Sequence, residues 1–119
     1  MKTAIFASII LAALAATASA QSIGGTYRVS GTNFNGTRYS GTAQISLPSN
    51  SNCQISWVTG STTSYGSCMR KGAIFAAGYI LSGAVGLVLY DLRPDGSLVG
   101  IWTLANQPGT GTETLTPMR

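Results

Sequence analysis

Turn signals punctuate this chain at such short intervals that no long helix fits between them. Asn35-Gly36, Pro48 to Asn52, Gly60-Ser61, Ser82-Gly83, Pro94-Asp95-Gly96 and Gln107-Pro108-Gly109 each carry residues suited to tight turns. The segments between them lack a 3.6-residue apolar stripe and favour strands at 26–30, 38–47, 54–58, 63–69, 73–81, 84–92, 97–105 and 110–116. Eight short strands joined by tight turns predict an all-β domain in which consecutive strands pair antiparallel as a small meander. Strand order is the same for an up-and-down barrel of seven or eight strands and for a sandwich. Glycines at 41, 66, 78, 86 and 100 permit bending and close strand approach, which favours the barrel and leaves the sandwich as the alternative.

The chain before residue 21 has a different character. Lys2 precedes an apolar run from Ala4 to Ala16, and Thr17-Ala18-Ser19-Ala20 follows. This is the pattern of a cleaved export signal, with the cut placed before Gln21. The run has 13 residues, whereas about 20 are needed to span a bilayer, so no membrane span is expected. Residues 21–119 then form a single β domain, expected in the periplasm or outside the cell.

Those 99 residues contain 15 glycines, 12 serines and 12 threonines, but only six basic and three acidic side chains and no histidine. A histidine-based triad, a zinc site and an acidic metal cage are excluded by that inventory. Asp95 before Gly96 is turn chemistry, Asp91 stands beside Arg93 near a strand end, and Lys71, the one lysine after the leader, lacks a catalytic motif. A non-enzyme without metal or cofactor is expected. The six basic residues are scattered apart from Arg70-Lys71, so no strip exists to follow a phosphate backbone and nucleic acid is not an expected partner. Glu113, in an otherwise neutral final strand, is expected to pair with an arginine of the first strand, with Arg28 as the candidate.

Local register can be read at three turns. A two-residue turn at Asn35-Gly36 would mix the apolar positions Tyr39, Gly41, Ala43, Ile45 and Leu47 with polar partners, so a three-residue loop with a bulge is expected. A type II′ turn at Gly60-Ser61 places Cys53 opposite Cys68 and Trp57 opposite Ser64. An even cysteine count in an oxidising compartment then predicts a disulfide across this hairpin. A turn at Ser82-Gly83 folds the uncharged stretch from Gly72 to Tyr90 into a hairpin in which Tyr79 faces Gly86 and Phe75 faces Tyr90.

Both faces of that hairpin are apolar. One collects Ile74, Ala76, Ile80, Val85, Leu87 and Leu89; the other collects Phe75, Ala77, Tyr79, Val88 and Tyr90. A small barrel buries one face of each strand, leaving an exposed patch unless loops, termini or another chain cover it. The aromatic face, with its tyrosine hydroxyls, suits an interface, so Phe75, Tyr79, Val88 and Tyr90 are the candidate protein-binding surface. Three roles are consistent with this chain. It is an exported module that recognises a host or envelope protein, a barrel that carries a small apolar ligand among Tyr27, Tyr39, Trp57 and Trp102, or an envelope component that self-associates as a homodimer through the same hairpin.

One resemblance spans nearly all of residues 21–119. Tyr27-x-Val29-x-Gly31-x-Asn33, Gly36-x-x-Tyr39-x-Gly41, Cys53-x-x-x-Trp57, Gly66-x-Cys68, Val88-x-Tyr90, Asp95-Gly96-x-Leu98-x-Gly100-x-Trp102 and Gly111-Thr112-Glu113-x-Leu115 resemble small exported bacterial proteins that often carry a fibronectin-binding label. The resemblance implies an adhesive or host-facing binding role. Such proteins tend to have Asn-Pro-Asp-Gly at the first turn, where this chain has Asn33-Phe34-Asn35-Gly36.

Overall fold

The structure is a computed structural model, which describes residues 22–48 and 52–118. The export signal expected over residues 1–20 lies outside the described residues, as do positions 49–51 of the Pro48 to Asn52 turn. The described chain is all β. Its strands are β1 (Gly25–Thr32), β2 (Arg38–Ser46), β3 (Cys53–Thr59), β4 (Thr62–Lys71), β5 (Ile74–Leu81), β6 (Ala84–Leu92), β7 (Leu98–Leu104) and β8 (Gly111–Pro117). Each pairs antiparallel with the next, and β8 returns to β1 with Val29 opposite Leu115. The meander closes as the expected eight-stranded up-and-down barrel, a solution that leaves no sheet edge unpaired.

Turn chemistry sets the registers. At Gly60-Ser61 the loop has two residues between paired Thr59 and Thr62, and Gly60 takes the positive φ of 63° that a type II′ turn needs first. Cys53 therefore pairs with Cys68, and the two form a disulfide with their Cα atoms 5.0 Å apart. Two other turns are chemical copies of each other. In Asn33 to Thr37 and in Arg93 to Ser97 a three-residue loop ends on a glycine of positive φ, Gly36 or Gly96, whose N–H donates to the carbonyl three residues back. In both, a carboxylate or amide oxygen, Asp95 or Asn35 Oδ1, accepts from the backbone N–H and the hydroxyl two residues on. These are the bulged three-residue loops expected at the first turn.

Alternation along each strand then sorts side chains between the barrel's interior and its outer wall. The interior holds Val29, Ala43, Ile45, Ile55, Phe75, Ala77, Val88, Tyr90, Leu98 and Leu115, all buried. The expectation for the 73–91 hairpin is corrected by this arrangement. Phe75, Tyr79, Val88 and Tyr90 point inward, with Phe75 at 0% and Tyr90 at 1% exposure, so they present no surface to a protein partner. The physical reason is shape and polarity together. Wide rings fill a barrel bore that short aliphatic chains would leave hollow, and each hydroxyl finds an acceptor inside: Tyr79 donates to the Thr103 carbonyl (3.1 Å) and Tyr90 to Glu113. Room for the rings comes from glycine on the neighbouring strand. A Cβ on Gly86 would lie 2.2 Å from the Tyr79 ring, and one on Gly100 would lie 2.8 Å from the Tyr90 ring.

The outer wall is divided lengthwise. Outward positions of β8, β1 and β2 are Thr, Ser, Gln and Arg, among them Thr112, Thr114, Arg28, Ser30, Thr42 and Gln44. Outward positions of β4 to β7 are instead mainly large and apolar: Tyr65 and Met69, Ile74 and Ile80, Val85, Leu87 and Leu89, then Ile101. No helix among the described residues is long and apolar enough to cross a membrane.

Candidate functional site

Call the end of the barrel that carries the β1–β2, β3–β4, β5–β6 and β7–β8 turns the upper end. The lower end is filled. Tyr27 lies there with its hydroxyl donating to the Ile23 carbonyl (2.6 Å), so the segment before β1 is pinned across the barrel's base. Phe75 stacks on Tyr90 above it, with ring centroids 5.9 Å apart. The upper end holds a cavity of about 270 Å³.

Its walls are aromatic. Trp57 and Tyr79 lie with ring centroids 5.2 Å apart, and Tyr39 meets Trp102 edge-on at 6.1 Å. Two more glycines make this possible, because a Cβ on Gly31 would stand 2.4 Å from the Tyr39 ring and one on Gly111 the same distance from the Trp102 indole. Phe34, from the first bulged turn, packs against Trp102 with ring centroids 4.7 Å apart. The rim is made by Asn33, Thr59, Thr62 and Leu81.

Glu113 forms the cavity's inner end. It projects from β8 into the bore, is buried, and accepts three hydrogen bonds from three other strands. Tyr39 Oη of β2 donates to Oε1 (2.8 Å), Trp57 Nε1 of β3 donates to Oε2 (2.9 Å), and Tyr90 Oη of β6 also donates to Oε2. All three donors are neutral. A carboxylate offers about four acceptor sites, so Oε1, with one donor, has one site left. Burial holds the Glu113 carboxyl above its ordinary range, while the bonds from Tyr90, Tyr39 and Trp57 partly offset that rise. Burial and the Glu113 charge likewise push the Tyr39, Tyr79 and Tyr90 phenols well above their ordinary value, which keeps them as neutral donors.

The expected ion pair of Glu113 with Arg28 is therefore corrected. Arg28 is exposed on the outer wall, whereas Glu113 occupies the same inward alternation as Gly111 and Leu115. Of the four expected interior ligand contacts, Tyr39, Trp57 and Trp102 come together at the cavity; Tyr27 does not, since it plugs the opposite end. Tyr79 and Val88, expected on an outer surface, join them on the cavity wall. Glu113 itself was readable as inward from the Gly111-x-Glu113-x-Leu115 alternation. Its partners were not, because they lie 23, 56 and 74 residues away in sequence.

The site combines a desolvated acceptor with flat apolar walls, the mix of apolar surface and a few placed polar groups found in small-molecule pockets. No protein-family model matches the chain, and a search of curated proteins found no match.

Proposed function

We propose that this chain is an exported, non-catalytic barrel that binds a small molecule in its upper end. The ligand on this reading has an apolar or aromatic body and presents a hydrogen-bond donor, a hydroxyl or an ammonium, to Glu113 Oε1. One observation carries the proposal: the cavity's inner end is a buried carboxylate with an acceptor site to spare, and its walls are Tyr39, Trp57, Tyr79 and Trp102 with no cation among the lining residues. A cationic head is favoured twice over, by the carboxylate and by the aromatic ring faces. A cavity of about 270 Å³ lined by four aromatic rings suits a small ligand built on a single ring.

Export is supported by the leader-like first 20 residues and by the disulfide, which persists in oxidising compartments. Recognition of a host or envelope protein, the role the family resemblance implies, rested on an exposed aromatic hairpin face. Those rings face the bore, which moves the weight to the carrier reading.

The test uses the two tryptophans, both at the cavity, as reporters. Benzylammonium, benzyl alcohol and benzoate are titrated against the protein, and a native mass spectrum is recorded of material purified without denaturation from its own host. The ammonium and the alcohol are expected to change the fluorescence saturably, with benzoate excluded, and a small-molecule adduct is expected in the spectrum. Bare protein together with no response to any of the three probes overturns the proposal.

A further inference from the structure

Among the described residues, nothing accounts for one glycine of this barrel being glycine. Seven of the others sit at positive φ. Six more have a ring or a carbonyl only 2.0–2.4 Å from where a Cβ would stand, and Gly24 has the Leu47 side chain at 3.2 Å. Gly78 differs from all of them. It sits in the middle of β5 without a positive φ, and the nearest atom to its absent Cβ is Leu87 Cδ2 at 3.8 Å. Glycine within a strand is destabilising relative to alanine, so its presence at this position points to something that approaches from outside.

What Gly78 leaves is a groove on the outer wall of about 650 Å³, running across β4 to β7 and framed by Met69, Ala76, Leu87, Leu89 and Ile101. Beside the hole stand protruding knobs. The eight large apolar side chains of this face keep between 44% and 73% of their surface exposed, which amounts to on the order of 800 Å², the share that one partner contributes to a standard interface. The rim carries both signs, since Lys71 and Asp91 flank Ile74 in one cross-strand row. A lipid surface would select cations alone, and a spanning barrel needs an apolar belt around its whole circumference, which the hydroxyl wall of β8, β1 and β2 denies. Adjacent hole and knob, with adjacent opposite charges, are what a two-fold contact between identical faces requires.

We propose that two copies of this chain pair through the outer faces of β4–β7, each seating apolar side chains of one in the Gly78 groove of the other. The groove lies on the outer wall and the ligand cavity opens at the barrel end, with Val88 and Trp102 lining both.

The oxidised protein is examined by sedimentation velocity at low- and high-micromolar concentration, alongside Gly78→Leu and Leu87→Glu. Both substituted positions face outward, and a Cβ at Gly78 would make only an ordinary van der Waals contact with Leu87 at 3.8 Å, so both variants are expected to keep the wild-type far-ultraviolet circular dichroism. The wild type is expected to dimerise with rising concentration, and each variant to raise the dimer dissociation constant at least tenfold. A wild type that stays monomeric at high concentration overturns the proposal, whether it is then found alone, on lipid vesicles or bound to an unrelated protein. So does a dimer that neither substitution weakens.

Discussion

Glu113 is the residue on which the interior turns, since it joins β8 to β2, β3 and β6 through side chains alone. Glu113→Ala leaves the buried donors of Trp57 and Tyr90 without an acceptor, while Tyr39 keeps the Thr112 carbonyl at 3.3 Å, and is expected to cost about 2 kcal/mol or more, at roughly 1–3 kcal/mol for each unsatisfied group. Glu113→Gln can turn its NH₂ to the Tyr39 hydroxyl, which accepts, and its oxygen to Trp57 and Tyr90; it should cost only about 1 kcal/mol. Urea denaturation of both variants measures the contrast. The pH dependence follows from burial raising the folded-state pKa above the unfolded one. Protonation then favours the folded state, so this group's contribution is intact below the ordinary carboxylate range and is lost as pH rises through the raised value. Asp95 acts in the opposite sense. Its pKa is lowered by the hydrogen bonds from Ser97, and its contribution is lost on acidification. Subtracting the Glu113→Gln profile between about pH 4 and pH 8 isolates Glu113; a difference that stays flat or grows as pH rises would contradict a raised pKa. That Glu113 faces inward follows from local alternation. That it meets tyrosines and a tryptophan rather than an arginine depends on which strands lie across the bore.

Among the elements, the β3–β4 hairpin was the most legible. Its turn type fixed the pairing, the pairing fixed the cysteines, and the disulfide followed. Its closed loop spans 15 residues, so replacing both cysteines by serine is expected to cost about 3 kcal/mol, read as a drop in the denaturant midpoint with the far-ultraviolet spectrum kept. The β5–β6 hairpin was legible in register but not in orientation, because an alternation of two apolar sets carries no sign. The glycines opposite its rings held the missing information. Gly100→Ala would drive a Cβ to 2.2 Å from the Leu89 carbonyl oxygen and should cost about 2–3 kcal/mol by overpacking. Gly78→Ala, by contrast, should leave the single chain unchanged or more stable by up to about 1 kcal/mol. Thermal unfolding of the pair at low concentration, below dimer formation, compares a glycine the barrel needs with one that it does not.

For the whole molecule, the two proposed surfaces are a cavity at one end of the barrel and an apolar half of the outer wall, with Val88 and Trp102 contributing to both. Among the described residues, Glu113 is the only charged one lining the cavity. Affinity for benzylammonium should therefore rise with pH as Glu113 ionises, while affinity for benzyl alcohol, which is uncharged, should change much less. Fluorescence titrations at several pH values measure the two slopes, and equal slopes would remove Glu113 from recognition of the charge.

Local geometry is written along the chain: eight strands, their antiparallel order, the bulged and two-residue turns, three registers and the disulfide. Those features are settled over a few residues, by the φ a turn demands and by the period of two that follows from it. Which side of the β5–β6 hairpin is inside, and with it the partners of Glu113, was settled only when the barrel closed. Closure brings eight strands around one bore, and that bore takes the side chains whose volume fills it and whose hydroxyls find acceptors there. Phe75, Tyr79 and Tyr90 go in, the two tyrosines against Gly86 and Gly100 and Tyr90 onto Glu113, and the aliphatic set that competes with them for the core is left on the outer wall.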